Sequence, residues 1–455
     1  MRSQGHILDT WDFVNREASV AEDNTHGMYC FSIMAANIPN KLVGTAPQSS
    51  YVLYRTEDAG SEYPIEEFNW VVGAERVDSI GGDLISSSLG YSTFDDPALS
   101  HSYADMNGNT TISAIGADMA AKKGILVVNA AGNEGNSGWK YISSPADGDS
   151  VLAVGAVDST GLPGSFSSYG PSSDGQVKPD VASVGVATFV QATNGAIAYG
   201  NGTSFACPNM AGLTACLWQG FREFNNMKII DALRRSSSKY TSPDDRVGYG
   251  IPDMKKAVVL LLHDYATATV TTTNCRATIN WQSKDAAGMQ YFVERKLPGE
   301  SGFTSLSQQN ARSSVFHEQS YTYEDDLGGL PTGNITYRIK QVVDTSTAGY
   351  AALFVDTLQI NVSGNCTLTA GKKIQLLPNP AHNFVKVRVV LPEAIQKLTL
   401  RVVNSAGQTV YRLRTQKSAG PAAFDIPLQH LAAGKYFLSI YNDEQLIATE
   451  GFLKL

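Results

Sequence analysis

Up to about residue 262 the sequence alternates between short apolar runs and stretches with helical spacing, and this alternation narrows the fold more than any other feature. Residues 49–54, 83–88, 125–129 and 151–157 read as strands, and residues 26–37, 66–80, 112–123 and 204–224 as helices. Strands that alternate with helices bury their apolar faces best in a mostly parallel sheet with helices on both sides. The expected class is therefore α/β. Beyond residue 264 the texture changes to Thr- and Val-rich alternating runs, such as 276–282 and 335–342, separated by Gly and Pro. Runs at 385–390, 398–403, 423–426 and 436–441 repeat the pattern, with turn signals at Ala406-Gly407 and Ala433-Gly434. These two stretches predict two small all-β sandwiches. The expected domains are 1–263, 264–369 and 370–455.

Composition excludes several classes. Hydrophobic residues make up 43% and charged residues 17%, enough to build a core. The formal net charge is -8, and no Lys/Arg cluster offers a footprint for phosphates, so no nucleic-acid partner is expected. No apolar run approaches the roughly 18 residues of a membrane span. The N-terminal Met1-Arg2-Ser3-Gln4-Gly5-His6 leads into polar sequence without the apolar core of a signal peptide. The cysteines Cys30, Cys207, Cys216, Cys275 and Cys366 are odd in number, which does not describe a disulfide scaffold.

Three motifs carry chemistry. In Gly202-Thr203-Ser204-Phe205-Ala206-Cys207-Pro208 a small-residue turn opens an apolar helix, with Pro208 in its first turn. Ser204 thus stands at a helix N-terminus, where backbone N–H groups and the helix dipole favour a developing oxyanion. In Ala131-Gly132-Asn133-Glu134-Gly135, directly after a strand, Asn133 can aim its amide NH2 into a cleft as a second oxyanion donor. In Asp23-Asn24-Thr25-His26-Gly27, His26 heads a helix and has the side chain a general base needs near neutral pH. Taken singly, each also fits a plainer role: a capping serine, a turn asparagine, a solvent-facing histidine.

Together and in this order, His26, Asn133 and Ser204 resemble the base, oxyanion and nucleophile motifs of the subtilisin family. The connecting sequence resembles that family as well, at Gly44-Thr45-Ala46-Pro47, Ile85-Ser86-Ser87-Ser88-Leu89-Gly90, Ser165-Phe166-Ser167-Ser168-Tyr169-Gly170-Pro171, Lys178-Pro179-Asp180-Val181 and Gly248-Tyr249-Gly250. The resemblance spans roughly residues 22–259. It implies a secreted serine endopeptidase acting on proteins or peptides, with His26, Asn133 and Ser204 catalytic. It also implies that Ser88, Leu89, Gly90 and Gly132 bind substrate as an added strand. Cys207 and Asn209 stand where many relatives have Ser and His, and Cys207 is expected to be a small buried residue. No metal or cofactor is expected from the residues. Structural calcium is common in the family, but no Asp-rich loop assigns it.

The family's third catalytic residue, an Asp that orients the base, has no clear counterpart. The nearest string, Leu8-Asp9-Thr10-Trp11, lacks a preceding apolar strand and the usual Gly, and Asp12 and Asp23 read as turn or capping carboxylates. The chain is therefore expected either to be truncated ahead of its first sheet strand, signal peptide and Asp, or to be a degenerate, non-catalytic relative serving as a binding or structural module.

The β-rich remainder carries two further resemblances. Ile279-Asn280-Trp281, Phe292-Val293-Glu294-Arg295 and Ile335-Thr336-Tyr337-Arg338-Ile339 are similar to a fibronectin type III-like sandwich, bracketed by Cys275 and Cys366, for which a disulfide is one reading and unpaired thiols the other. Leu377-Pro378-Asn379-Pro380 and Gly434-Lys435-Tyr436-Phe437-Leu438, with a final strand near Phe452, resemble the C-terminal sorting domain of the type IX secretion system of Bacteroidetes. That resemblance implies the type IX secretion machinery as a partner and a secreted or cell-surface location.

Overall fold

The computed structural model describes residues 6–273, 275–328, 330–343, 353–362, 373–391 and 393–455. The chain divides into two compact units, Met1–Leu261 and Leu262–Leu455.

In the first unit, β1 (Ile7–Asp12) leads to α1 (His26–Ala35), a small hairpin of β2 (Asn37–Ile38) and β3 (Leu42–Val43), β4 (Tyr51–Arg55), α2 (Ile65–Ser79), β5 (Leu84–Ser87), α3 (Ile112–Lys122), β6 (Leu126–Ala130), β7 (Val151–Val157) and β8 (Val181–Val184). A hairpin of β9 (Thr188–Gln191) and β10 (Ile197–Gly200) then feeds α4 (Thr203–Gly220), followed by α5 (Asn226–Ser236) and α6 (Met254–Tyr265). β5, β6, β7 and β8 form one parallel sheet in that order, and β1 pairs in parallel with β4. Every residue of β6 and β7 is buried. Such continuous apolar strands need cover on both faces. α4 packs against all four strands of this sheet, and α3 against β6 and β7.

The α/β class is as the sequence implied. Asp9 lies inside β1, where Ile7, Asp9, Thr10 and Trp11 are half-buried, Leu8 is exposed and Asp12 is buried, so the strand has no apolar signature. The reading also missed β8, the β9–β10 hairpin, α5 and α6. The first two are only four residues each, too short for alternation to register.

From Thr267 onward the described residues of the second unit build strands and no α-helix. β11 (Thr267–Thr273), β12 (Arg276–Asp285), β13 (Gln290–Lys296), β14 (Thr304–Asn310), β15 (His317–Asp326), β16 (Gly333–Val342) and β17 (Leu353–Val362) form antiparallel sheets of order β11-β12-β15 and β14-β13-β16-β17. The two sheets meet through Trp281, Tyr291 and Tyr321, whose rings lie 4.9–6.0 Å apart, and through the buried Arg295–Asp325 pair. β18 (Ile374–Leu377), β19 (Phe384–Val389), β20 (Ile395–Asn404), β21 (Thr409–Lys417), β22 (Ala422–Pro427), β23 (Gly434–Asn442) and β24 (Gln445–Lys454) repeat the plan as β18-β19-β22 and β21-β20-β23-β24. Their shared core includes Val385, Val387, Leu398, Leu400, Leu438, Ile440 and Phe452. Cys275 is disulfide-bonded. Cys366, its expected partner, lies outside the described residues.

Candidate active site

The nucleophile candidate is delivered by the β9–β10 hairpin and α4. β10 ends at Gly200, where an added Cβ would come within 2.4 Å of the Phe205 ring, so the strand can close on the helix start only as glycine. Gly202 N–H then bonds to Gly185 O at 2.8 Å, fixing the turn that starts α4. Ser204 is the second residue of that helix and is 8% exposed. Its carbonyl accepts from Ser88 Oγ at 2.8 Å and from Cys30 Sγ at 3.2 Å, while its own hydroxyl donates a long bond to Ser88 O at 3.4 Å.

α1 brings His26 to the same place. The helix start is tied by Asn24, whose Oδ1 accepts the His26 backbone N–H at 2.9 Å. The imidazole packs against Phe205, with ring centroids 6.2 Å apart, and its Nε2 lies 3.7 Å from Cys30 Sγ one turn along. An added side chain at Gly27 would meet nothing within 4 Å, so space lies open beside the ring. Burial lowers the His26 pKa from its ordinary value. No hydrogen bond joins the ring to the Ser204 hydroxyl, as is common where no substrate is bound.

Asn133 stands on the other side of Ser204. Its side-chain oxygen accepts the Thr203 backbone N–H at 2.9 Å and the Thr203 hydroxyl at 3.1 Å. With the oxygen held, the amide NH2 is the end left to point elsewhere. Gly132, with φ +110°, sets the approach, and its N–H donates to Thr203 Oγ1 at 3.2 Å. A Cβ there would collide with Ser168 Oγ at 2.7 Å and Ser143 Oγ at 2.9 Å, so the position requires glycine on both counts.

Ser88, Leu89 and Gly90 continue from β5 past the nucleophile. Ser88 touches Ser204 as described, and Leu89 O accepts from Asn129 Nδ2 at 3.0 Å, which binds this stretch to β6. His26, Asn133, Ser204, Ser88 and Gly132 therefore share one locale. The sequence did not single out Thr203 as a partner of Asn133, nor Cys30, nor Ser143. Thr203 was adjacent to the nucleophile, but nothing in its spacing indicated a bond to a residue 70 positions away.

The carboxylates ahead of His26 have other partners. Asp9 takes a bidentate contact from Arg76 at 2.8 and 2.9 Å and the Tyr54 hydroxyl at 2.7 Å, and the Arg76 bond leads in holding its pKa down. Asp12 is 1% exposed; its Oδ1 caps the turn by accepting Val14 and Asn15 N–H at 2.8 and 2.9 Å, and its Oδ2 meets Arg55 at 2.7 Å. Asp23 meets the same Arg55 at 2.5 Å. Among the described residues no carboxylate is hydrogen-bonded to the His26 ring.

Cys207 is fully buried, donating towards Ser87 O and Val128 O, and burial pushes its thiol up to about 12. It is packing, as expected. Among the described residues, Glu57, Glu62 and Glu66 gather carboxylate oxygens within 4.8 Å of one another. Burial and mutual repulsion push Glu57 and Glu62 to about 7. Glu66 accepts the Asp58 and Tyr63 N–H groups, and Glu57 the Tyr91 hydroxyl. No helix of the described residues is long and apolar enough to cross a membrane.

Comparison with known proteins bears on both ends of the chain. A model of the subtilase family matches residues 2–250, and a model of the secretion system C-terminal sorting domain matches residues 375–452. The chain is 31% identical over 248 residues to a thermophilic serine proteinase of Bacillus sp. (strain AK1), covering 54% of this chain and 55% of that protein. It is 32% identical over 252 residues to a subtilisin of Bacillus pumilus, covering 54% of this chain and 82% of the relative. Against subtilisin NAT of Bacillus subtilis subsp. natto it covers 59%, so it spans little more than half the length of several of the curated relatives it matches. Among solved structures, the prenylagaramide maturation protease PagA aligns with 23% identity and a TM-score of 0.45, covering 56% of this chain and 86% of that one. The sorting domain marks the protein for secretion or attachment at the cell surface. The chain belongs to the subtilase family of serine peptidases and ends in a type IX secretion sorting domain.

Proposed function

We propose that this protein is a serine endopeptidase that cleaves peptide bonds of proteins outside the cell. Ser204 Oγ attacks the substrate carbonyl, His26 takes the proton and returns it to the leaving amine, and the Asn133 amide with the Ser204 backbone N–H holds the oxyanion. Ser88, Leu89 and Gly90 align the substrate as an added strand. The observation that carries this reading is the grip of Thr203 on the Asn133 oxygen, which leaves the amide hydrogens free beside a serine at a helix start. The type IX machinery is the partner for export, and the β11–β17 module is a fibronectin-like spacer or surface-binding element.

A second reading has its own support. His26 is half-buried without a carboxylate partner among the described residues, so nothing enforces its tautomer. Loss of that partner costs on the order of 10⁴ in rate while leaving residual catalysis. On this reading the domain is a degenerate relative used for binding. A fluorophosphonate probe decides between them. The protease reading expects covalent labelling of Ser204 that is lost in Ser204→Ala; absence of labelling in the intact protein supports the binding module.

A further inference from the structure

Resting on the protease reading, we infer that His101 is a positioning residue that makes substrate binding depend on pH. Its imidazolium, acting through Glu67, Ser113 and Ser144, holds the segment that follows Ser88-Leu89-Gly90, and the hold is lost when the ring gives up its proton.

An unbroken chain of hydrogen bonds carries the coupling. His101 Nε2 lies 2.7 Å from Glu67 Oε1. Glu67 Oε2 accepts the Ser113 N–H and hydroxyl at 2.9 and 2.8 Å. Ser113 Oγ lies 2.8 Å from Ser144 Oγ, which also meets Thr111 Oγ1. Glu67, Ser113 and Ser144 are wholly buried, and His101, with 18% of its side chain exposed, is the end that reaches solvent. The hydrogens run one way. An ionised carboxylate only accepts, and each hydroxyl has one hydrogen to give. Ser113 gives its hydrogen to Glu67, so it accepts from Ser144, and Ser144 accepts from Thr111. The charge on Glu67 therefore aims the Ser144 side chain.

The backbone of Ser144 meets the substrate stretch. Its N–H donates to Tyr91 O at 3.1 Å, and its carbonyl accepts the Tyr91 N–H at 2.8 Å. Tyr91 directly follows Gly90 and is wholly buried. Burial works against the charge on Glu67, and the bonds from His101 and Ser113 outweigh it. Among the described residues His101 is the cation paired with Glu67. Without the imidazolium charge, a wholly buried carboxylate is left unneutralised, which is the costly state of a buried pair. The chain relieves that cost by opening to water, which loosens the Ser113–Ser144 bond and with it the pairing of Ser144 with Tyr91.

Other charged groups face the chain. The Glu67 hydrogen bond leads in raising the His101 pKa against burial, and Asp105 and Asp147 add to it. Lys178 in turn faces Asp147. At the far end Glu57 accepts the Tyr91 hydroxyl at 2.7 Å, and burial pushes the Glu57 carboxyl up to about 7, so it titrates in the same range. Glu66 is the next carboxylate beside Tyr91. A variant at His101 leaves all of these in place and so isolates the His101 contribution.

The test uses the full chain, unaltered and as His101→Gln and Ser144→Ala. Amide hydrogen exchange at Tyr91 and Ser144 is read by mass spectrometry, corrected for the intrinsic effect of pH, and KM and kcat are measured with denatured, fluorescein-labelled casein. Between pH ~6 and pH ~9 protection at both amides is expected to fall about fivefold or more, and KM to rise by a similar factor with kcat nearly level. His101→Gln keeps a donor for Glu67 without its charge, so it should show the high-pH values throughout. Ser144→Ala cuts the chain but keeps the His101–Glu67 pair. Its KM should be as high in mild acid as in base, while its thermal stability still varies with pH. A pair that is merely structural would move stability alone. Exchange at Tyr91 and Ser144 that ignores pH in the unaltered protein therefore overturns the inference, whether or not a variant folds. So does a KM that still climbs with pH in a folded His101→Gln or Ser144→Ala. If casein is not cleaved and a fluorophosphonate does not label Ser204, the protease reading falls on its own. Exchange needs no turnover and still decides whether His101 holds Tyr91.

Discussion

The Asn133 side-chain oxygen accepts both the backbone N–H and the hydroxyl of Thr203, at 2.9 and 3.1 Å, so the residue before the nucleophile orients the residue that would meet the oxyanion. This makes Thr203 a positioning residue. Thr203→Val keeps the shape and the N–H bond but removes the hydroxyl from Asn133 Oδ1 and from Gly132 N–H. Peptide cleavage by Thr203→Val is expected to fall about tenfold in kcat, with KM nearly unchanged, against roughly 10²–10³ for Asn133→Ala. Because Thr203 acts through Asn133, the double variant should be no slower than Asn133→Ala alone. Additive losses would show that Thr203 works by another route.

An imidazole that is half-buried without a carboxylate titrates early. Burial lowers the His26 pKa below its ordinary 6.5. The neutral imidazole is the active form, so kcat/KM should rise with pH through this lowered value and reach half its plateau below 6.5. A carboxylate bonded to the ring would act in the opposite sense, favouring the imidazolium and moving the limb up. A midpoint above about 7 in a pH–rate profile would therefore reveal a partner for His26 in the working enzyme.

How far the sequence could reach is clear from individual residues. β6 and β7 were legible because a buried parallel strand has one signature, an unbroken apolar run, and Leu126–Ala130 and Val151–Val157 both show it. His26, Asn133 and Ser204 were legible because each sits beside Gly or at a helix start, where local chemistry already restricts the choices. β1 was not, because its half-buried face mixes Ile, Asp, Thr and Trp and its pairing with β4 is decided some 40 residues away. The closeness of Ser143 to Gly90 and Gly132 was illegible for a similar reason, since it joins residues 11 and 53 positions apart and Ile142-Ser143-Ser144-Pro145 carries no motif.

Glu67 and His101 form a second, structural charge pair, joining α2 to the loop before α3. Glu67 Oε1 lies 2.7 Å from His101 Nε2, and its Oε2 accepts the Ser113 N–H and hydroxyl at 2.9 and 2.8 Å. The Glu67 hydrogen bond raises the His101 pKa against burial; at Glu67 burial pushes upward, but the His101 and Ser113 bonds outweigh it and the carboxyl is lowered. The His101 contribution is complete below its unfolded value of about 6.5 and fades as pH rises through the folded value; the Glu67 contribution is complete above about 4.3 and fades in acid. Glu67→Gln should destabilise the first unit by about 3 kcal/mol near pH 6, with a smaller gap at pH ~9. Thermal melts across that range measure it, and a gap independent of pH would mean that the histidine is neutral throughout.

Lys178, whose side chain is wholly buried, ties down the turn that leads into β7. Its ammonium donates to Gly148 O at 2.8 Å, Val151 O at 2.9 Å and Asp180 Oδ2 at 3.0 Å. Asp180 in turn accepts the Ala153 N–H at 2.8 Å and pairs with Arg234, linking β7, β8 and α5. Lys178→Met fits the same space but takes the ammonium away from Gly148 O, Val151 O and the buried Asp180 carboxylate. Removing one partner of a buried pair costs about 3–5 kcal/mol, several times the cost of losing an exposed one. Denaturant unfolding of the first unit should show a loss of that size. Lys239→Met supplies the exposed control, since Lys239 meets Asp244 with both side chains more than a third exposed, and it should cost about 1 kcal/mol or less. If the two variants lose equally little, water reaches the Lys178 site and the buried ammonium is not what holds the turn before β7 to Asp180.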